Sequence, residues 1–306
     1  MAVAPSSHLD HQLSALQRRF SGTLAVAAKN LSTGEEILRD PNRVFPTASV
    51  FKIPVMIEVF RQVGEGALAL DERIGLRLED VVRGSGVLRD MRPGLAPTID
   101  DLVTLMIIVS DNTATNMLID RVGGIEAINR TMRAYGLDAT TVHNRIDFEL
   151  IGDDNHRLAV ASPRDLMRIG ELLVRGELIS AGASAAMLDI LGRQQYLNQV
   201  PRYFDYNPYG PELGVSQPLW IGCKTGALPG MRADAGVIRI PGDVAIAYAV
   251  MNEGSQDTGF TNENESDVVN GAVGRLLLEH WWPADTDGPL PVWESPYLTN
   301  LLEERP

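Results

Sequence analysis

The sequence predicts an α/β (α+β) fold in which one antiparallel sheet is built from both chain ends and flanked by helices, with an all-helical part between. Near both ends, apolar runs are separated by turn residues, Ser32-Thr33-Gly34 and Pro241-Gly242-Asp243, which is typical of hairpins. From 49 to 193, helical spacing of apolar residues dominates. The predicted strands are 22–31, 35–38, 219–226, 232–240 and 243–251.

The helix boundaries are predicted from residues whose side chains can accept hydrogen bonds from the unpaired backbone amides at a helix start. Thr98 and Asp101 have the spacing of a capping box, and Ser162-Pro163 is a common helix start. The predicted helices are 8–19, 51–63, 102–109, a segment from Asn112 or Thr113 to Gly123-Gly124, one that begins at Ser162-Pro163, and 267–282.

This order of elements predicts two subdomains. Residues 1–45 and 215–306 are expected to form an α/β subdomain, in which the Pro-rich and acidic segment 283–306 is a tail. Residues 46–214 are expected to form the helical subdomain. A functional site is predicted in the crevice between them, because clefts of this kind are where ligand pockets commonly form.

Composition excludes several classes of function. The chain has 306 residues, of which 44% are apolar and 22% are charged, and these values predict a globular protein with a sizeable core. Its 27 basic and 40 acidic residues give a net charge of −13 with no basic block, so nucleic acid is not an expected partner. The single cysteine, Cys223, excludes an intramolecular disulfide and is expected to be buried in a strand.

Cofactors, membrane contact and location are also addressed by the sequence. The five histidines show no metal-binding spacing, so neither a metal nor another cofactor is predicted. No apolar run approaches the roughly 20 residues of a membrane helix. No leader peptide is visible at the start. We therefore expect a cytoplasmic monomer that acts on a small-molecule substrate.

The first of three chemical motifs is Ser49-Val50-Phe51-Lys52 at the predicted start of a buried helix. Residues three apart on a helix lie on one face, so the Ser49 hydroxyl and the Lys52 amine can form a nucleophile and its base. Burial is expected to lower the pKa of Lys52, which suits a base. The Ser49 amide, in the first helical turn, has no intrahelical partner and can stabilise an oxyanion.

The second motif is Ser110-Asp111-Asn112, at the junction of two predicted helices. In the functional interpretation, Ser110 relays a proton to the leaving group and the Asn112 amide holds the acyl side chain of the substrate. Asp111 is expected to point inward and fix the turn. Taken alone, Asp111 or Asn112 is explained by a helix cap, but a cap does not explain the occurrence of this motif together with the other two.

The third motif is Lys224-Thr225-Gly226, which follows an apolar run predicted to be a strand. Lys224 offers positive charge to a substrate carboxylate and to Ser110, and Thr225 offers a hydroxyl. The absence of a side chain at Gly226 would let a substrate approach the backbone. The Ala227 amide is a candidate second oxyanion donor, and Arg232 is a candidate anchor for the carboxylate.

Together the three motifs resemble those of the serine β-lactamase and penicillin-binding protein superfamily, and most closely the class A β-lactamase-related serine hydrolases. The resemblance covers roughly residues 20 to 282. It implies an acyl-serine mechanism on Ser49, an oxyanion hole formed by the amides of Ser49 and Ala227, and a two-part fold. It also implies a periplasmic or secreted location, in conflict with the absence of a visible leader.

One segment departs from the class A pattern, in which a Glu on a loop before a Ser-Pro or Thr-Pro helix start activates the deacylating water. Here that loop runs from about Arg145 to Ser162-Pro163, and counting from Arg145 places Asp147 at the position of the Glu. Glu149 is the alternative carboxylate. A solvated loop face without a catalytic role is the remaining interpretation for both.

A second departure is the tyrosine-rich segment 194–211, which is longer than the corresponding segment in the family. Loops of this kind often line binding clefts, so the segment either reshapes the pocket or is a surface excursion.

The sequence therefore supports a serine hydrolase with an acyl-serine intermediate, with a class A type β-lactamase as the first hypothesis. The alternatives are an esterase or D-amino-acid peptidase of the same superfamily, and a penicillin-binding or sensor module that is acylated without efficient turnover.

Overall fold

A five-stranded antiparallel sheet forms the centre of the molecule. The computed structural model describes residues 5–286, 288–293 and 295, and within them the strand order is β2-β1-β8-β7-β6. A small second sheet has the order β3-β5-β4. The strands are β1 (Thr23–Asn30), β2 (Glu36–Arg39), β3 (Phe45–Pro46), β4 (Thr141–Val142), β5 (Ala159–Ala161), β6 (Trp220–Leu228), β7 (Met231–Ile240) and β8 (Val244–Glu253).

The helices fall mainly between β3 and β6, as the sequence predicted. A short 3₁₀ turn, Ala48–Phe51, leads directly into α2. The helices are α1 (Pro5–Arg19), α2 (Lys52–Gly64), α3 (Ile99–Ile108), α4 (Asn112–Arg121), α5 (Ile125–Ala134), α6 (Phe148–Ile151), α7 (Pro163–Arg175), α8 (Ala181–Gly192) and α9 (Glu265–Trp281).

The α/β fold with a sheet assembled from both chain ends is confirmed. β1 pairs with β8, so a strand from the N-terminal part lies beside the last strand of the sheet. The small sheet was not predicted, because its strands are only two or three residues long and show no periodicity. The division into two subdomains stays a prediction.

Two hydrophobic cores lie on opposite faces of the large sheet, and the alternation of side chains along β8 produces them. Ala249 and Met251 face the core shared with the helical part. Tyr248 and Val250 face the other core, to which α1 and α9 contribute. Because successive strand residues point to opposite faces, one apolar strand fills both cores.

The caps predicted from sequence are present. The Thr98 hydroxyl accepts from the Asp101 amide at 3.0 Å, and the Asp101 carboxylate accepts from the Thr98 amide at 2.8 Å. Ser162 caps α7, and Pro163 occupies its first turn. Such caps satisfy amides that have no partner within the helix, and each stabilises by about 1 kcal/mol.

The predicted tail 283–306 lies largely outside the described residues. In its described part, Val292 pairs with Phe204, and the Trp293 amide donates to the Tyr203 carbonyl at 2.8 Å. No helix in the described part of the chain is both long and apolar enough to cross a membrane.

Candidate active site

Ser49 lies on a strained turn between β3 and α2. The preceding residue, Ala48, is buried and has a φ of 42°, in the left-handed region that L-residues seldom occupy. Strain of this kind persists where the surrounding packing enforces it, and it clusters at functional sites. Ser49 itself is partly exposed and lines the central cavity.

Lys52, the first residue of α2, is fully buried beside the second motif. Its Nζ lies 2.7 Å from the Ser110 carbonyl oxygen, 3.0 Å from Ser110 Oγ and 2.8 Å from Asn112 Oδ1. Burial lowers the pKa of Lys52 well below its ordinary value, and the neighbouring Lys224 lowers it further, while Asp111 opposes the shift. This confirms the predicted burial of the Lys52 amine.

The three partners of Lys52 accommodate an uncharged amine. The Ser110 carbonyl and Asn112 Oδ1 can only accept, so they take the two N–H bonds of a neutral NH₂ group. The lone pair then faces Ser110 Oγ, which can donate. Among the described residues, the Ser49 hydroxyl has no hydrogen-bond partner; catalytic hydrogen bonds are often absent or long when no substrate is bound.

Ser110 joins the two lysines of the site. Its Oγ lies 3.0 Å from Lys52 Nζ and 3.1 Å from Lys224 Nζ. Ser110 has a φ of 54°, so it too has a left-handed backbone conformation. The structure thus brings together Ser110 and the lysines of the first and third motifs, which lie 58 and 114 residues away in the chain.

Asp111 fixes the turn that carries Ser110. One carboxylate oxygen accepts from the Ala114 amide at 2.9 Å and caps α4. The other accepts from the Val87 and Leu88 amides at 2.6 and 2.8 Å. The inward orientation expected from sequence is therefore present, and this residue ties α4 to the loop at 84–88.

Asn112 has a second, structural set of contacts. Its Nδ2 donates to the Arg83 carbonyl at 2.9 Å, and its Oδ1 also accepts from the Ser85 hydroxyl at 3.2 Å. The side chain lines the cavity, as the predicted contact with an acyl side chain requires. A substrate that binds Asn112 Nδ2 would share this nitrogen with the Arg83 carbonyl oxygen.

Lys224 and Thr225 lie on β6. Lys224 is fully buried, and its Nζ also donates to the Thr225 carbonyl at 2.7 Å. Burial lowers the pKa of Lys224 to about 7, and the neighbouring Cys223 and Asp234 partly oppose this shift. The amine therefore changes charge near neutral pH.

Gly226 is needed for a reason different from the one expected. A Cβ at this position would lie closer than 3.0 Å to the Thr47 carbonyl oxygen and 3.0 Å from the Ser49 amide nitrogen. The close approach is therefore made by the chain itself: the absence of a side chain lets β6 lie against the turn that carries Ser49. This juxtaposition brings the Ser49 amide beside the strand that carries Ala227.

Arg232 does not contact the cavity, contrary to its predicted role as a carboxylate anchor. It is buried, and its Nε donates to Asp267 Oδ1 at 3.1 Å. Its two terminal nitrogens donate to the carbonyls of Leu228, Met231 and Gly259. The guanidinium is therefore fully engaged within the fold.

The two candidate carboxylates for deacylation do not line the cavity either. Asp147 caps α6, and its Oδ1 accepts from the Glu149 and Leu150 amides at 2.9 and 3.2 Å. Asp147 is half-buried, and its neighbours Ile146 and Phe148 line the cavity whereas Asp147 does not. Glu149 is exposed. The structure therefore does not support a direct catalytic role for either carboxylate.

The cavity has a volume of about 480 Å³. It is lined by Ser49, the predicted nucleophile, and by parts of all three motifs. Tyr196, Asn198 and Gln199 also line it, so the beginning of the 194–211 segment is not a surface excursion. The lining residues are Ala48, Ser49, Gly84, Ser85, Ser110, Asn112, Ile146, Phe148, Leu158, Tyr196, Asn198, Gln199, Thr225, Ala227, Leu228 and Phe260.

Sequence reasoning missed a buried group behind β6. Asp234 on β7 accepts from the Val200 amide at 2.9 Å and from the Tyr248 hydroxyl at 3.1 Å. Burial raises the pKa of Asp234 to about 7. It faces the opposite side of the sheet from Lys224, among residues that include Cys223, which is buried as expected. An acidic residue between two alanines, Ala233 and Ala235, in a predicted strand was the signal available in the sequence.

A partly exposed serine, two buried lysines and a second serine that bridges them define an acyl-serine enzyme in which amines move the proton. The chain belongs to the β-lactamase enzyme family, whose model matches residues 8–281.

Individual relatives agree with this assignment. A β-lactamase of Streptomyces fradiae is 27% identical over 290 residues, which cover 91% of this chain and 88% of the relative. A β-lactamase of Streptomyces cellulosae is 32% identical over 184 residues, which are 60% of this chain and only 59% of the relative's length.

Solved structures share the fold over most of this chain. The β-lactamase of Sphaerobacter thermophilus has a TM-score of 0.78 and 31% identity, with 89% of this chain and 96% of that chain covered. The structure of PBP-A has a TM-score of 0.76 and 26% identity, with 89% and 95% covered.

Proposed function

We propose that this protein is a serine β-lactamase that opens the lactam amide through an acyl intermediate on Ser49. The observation that carries the proposal is the position of Ser110, whose Oγ lies within hydrogen-bonding distance of both Lys52 and Lys224 at the cavity that Ser49 lines. Membership in the β-lactamase family supports it. So does a variant of PBP-A solved as an acyl-enzyme complex with penicillin G, with a TM-score of 0.77 to this chain.

Acylation needs a base, an acid and an oxyanion site. Ser49 Oγ forms a bond to the lactam carbonyl carbon, and its proton passes to the neutral Lys52 amine. As the C–N bond breaks, the ring nitrogen takes the proton of the Ser110 hydroxyl, and Ser110 recovers a proton from Lys52 across 3.0 Å. The proton of Ser49 thus ends on the ring nitrogen, and Lys52 returns to its neutral form.

The oxyanion of the tetrahedral intermediate is assigned to the amides of Ser49 and Ala227. Both residues line the cavity, and Gly226 allows their two segments to lie side by side. Loss of one such donor typically costs 10²- to 10³-fold in rate.

Lys224 and Thr225 are assigned to the substrate carboxylate, because Arg232 is engaged within the fold. Thr225 lines the cavity, while Lys224 lies behind it and donates to Ser110. A positive charge at Lys224 would attract the carboxylate and at the same time favour proton donation by Ser110.

Deacylation is expected to be the slow step. None of the described residues that line the cavity is a carboxylate. We assign the base to Lys52: it takes a proton from the attacking water, and that proton passes to Ser49 Oγ as the ester bond breaks. The acyl-enzyme is therefore expected to accumulate before it is hydrolysed.

The first test is hydrolysis of a chromogenic cephalosporin. The protein should consume it, Ser49→Ala should abolish the activity, and Ser32→Ala, which removes a hydroxyl from an exposed turn, should leave it unchanged. Hydrolysis that persists in Ser49→Ala, or none by the unsubstituted protein, would refute the proposal. Cleavage of a nitrophenyl ester without cephalosporin hydrolysis would indicate an esterase.

The second test is a time course of intact-protein mass after mixing with a penicillin. An adduct of one penicillin should appear quickly on the unsubstituted protein, decay over repeated turnovers and be absent from Ser49→Ala. An adduct that persists for hours without product would show that the cycle stops after acylation. The monomeric state and the cytoplasmic location remain predictions of the sequence.

A further inference from the structure

We propose that Phe148, Tyr196 and Phe260 form an aromatic mouth around the cavity, and that this mouth selects β-lactams whose acyl side chain ends in an aryl ring. The inference rests on the proposed β-lactamase function and names the substrate class within it. Phe148 is the residue assigned to the direct contact with the aryl ring.

The first observation is that all three rings line the cavity and yet remain exposed. Their exposed fractions are 45% for Phe148, 42% for Tyr196 and 66% for Phe260. Each comes from a different segment: the loop that follows Arg145, the 194–211 segment, and the connection between β8 and α9. Large aromatic side chains are usually covered, so three open rings at one cavity indicate a surface meant for a ligand.

The second observation places Phe148 next to the residue assigned to the acyl side chain. A Cβ on Gly84 would lie 3.2 Å from Phe148 Cζ and 2.7 Å from Asn112 Nδ2. The ring of Phe148 and the amide of Asn112 therefore converge on the same small volume. A substrate whose side-chain amide is held by Asn112 would extend its next group toward the Phe148 ring.

The third observation is that the ring of Phe260 and the backbone of Tyr196 are held in place before a ligand arrives. The Arg232 guanidinium lies 4.9 Å from the centroid of Phe260. The Tyr196 amide donates to Gln194 Oε1 at 3.0 Å, and Gln194 in turn donates to the carbonyls of Ile107 and Cys223. A surface that is ordered in advance loses little conformational entropy on binding.

Charge completes the argument. None of the described residues that line the cavity is an acid or a base. A charged acyl side chain would lose hydration there without gaining a partner, whereas an aryl ring gains contact with other rings. The preferred substrate is therefore a β-lactam with a neutral aryl-bearing side chain.

The test compares benzylpenicillin with its acetamido analogue, which lacks only the phenyl ring. The unsubstituted protein should have the higher kcat/KM for benzylpenicillin. Phe148→Ala should reduce the ratio of the two kcat/KM values by about 3- to 10-fold, the typical contribution of one aromatic contact. Phe148→Tyr, which keeps the ring, should restore the ratio.

Leu150→Ala is the matched control, because Leu150 lies on the same short helix, is 55% exposed and does not line the cavity. It should leave the ratio unchanged. Tyr209→Ala serves in the same way for Tyr196→Ala, since Tyr209 belongs to the same segment and lies outside the cavity wall. Thermal unfolding checks that each variant is folded.

The outcomes separate the inference from the proposed function. If neither penicillin is consumed by the unsubstituted protein, the β-lactamase proposal fails. If both are consumed but the ratio is the same in Phe148→Ala, Tyr196→Ala and Phe260→Ala as in the unsubstituted protein, the aromatic mouth does not select substrates and the inference is wrong.

Discussion

Substitution of Gly226 by alanine tests whether β6 positions the nucleophile. The new Cβ would meet the Thr47 carbonyl oxygen at less than 3.0 Å and the Ser49 amide nitrogen at 3.0 Å, where ordinary contact begins at 3.4 Å. Both atoms belong to the backbone, so no side chain can rotate to relieve the contact. The turn that carries Ser49 must move away from β6 by about half an ångström to one ångström.

This movement separates the two proposed oxyanion donors, Ser49 and Ala227. A misplacement of about 1 Å in a catalytic group can cost about a hundredfold in rate, and overpacking of a buried contact costs about 1–3 kcal/mol of stability. We therefore expect Gly226→Ala to remain folded with a lowered midpoint of unfolding, and its rate of acylation by penicillin to fall by one to two orders of magnitude.

The assay is the rate of adduct formation on intact protein, with urea unfolding measured in parallel. Gly182→Ala is the control, because a Cβ at that exposed helical position meets nothing within 4 Å and the residue has no positive φ. A Gly226→Ala protein that is acylated within about threefold of the normal rate would refute the reasoning, because it would show that the site tolerates this displacement.

Three further predictions follow from the same contacts. Because the pKa of Lys224 is lowered to about 7, its charge is present below that pH and lost as pH rises through it, so kcat/KM for an anionic penicillin should fall above pH 7. Its methyl ester should show a smaller fall, because only the effect of Lys224 on Ser110 is then lost. An equal fall for both substrates would show that Lys224 does not bind the carboxylate. Arg232→Ala should lower the free energy of unfolding in urea by about 3–5 kcal/mol, because it leaves the buried Asp267 carboxylate without its cation. Adding Asp267→Asn should recover part of this loss. A raised KM with an unchanged free energy of unfolding would contradict the prediction. Asp147→Asn keeps a good helix cap, so the deacylation rate, measured as the decay of the acyl adduct, should change by less than about threefold. A loss of about a hundredfold would instead identify Asp147 as the base.

Much of the site could be predicted from local sequence. Ser49, Lys52, Ser110 and Lys224 were identified because each belongs to a short string in a suitable context, and the structure brings the last three into contact. The cap at Thr98 was predictable for the same reason: a cap depends on residues within one turn of each other.

Arg232, Asp147 and Gly226 show where local sequence was insufficient. An arginine near the third motif has the right charge for a carboxylate, but Asp267 on α9 binds it. Asp147 has the position in the loop expected of the catalytic carboxylate, but its Oδ1 caps the helix that follows it. Gly226 leaves open the space of a side chain, as the sequence predicted, but the backbone atoms that fill this space belong to Thr47 and Ser49 rather than to a substrate.

The sequence by itself determined the class of fold, the order of the three motifs and the residues able to act as nucleophile and bases, because those depend on periodicity, capping and residue chemistry along a few turns of chain. Only the tertiary structure decided which charged groups face the cavity and which aromatic rings surround it, because these depend on segments far apart in the chain. Asp267 meets Arg232 across 35 residues, and Phe148, Tyr196 and Phe260 meet at one cavity from three separate segments. The residues proposed for acyl transfer at Ser49 are thus encoded locally, whereas the proposed selection of substrate depends on packing.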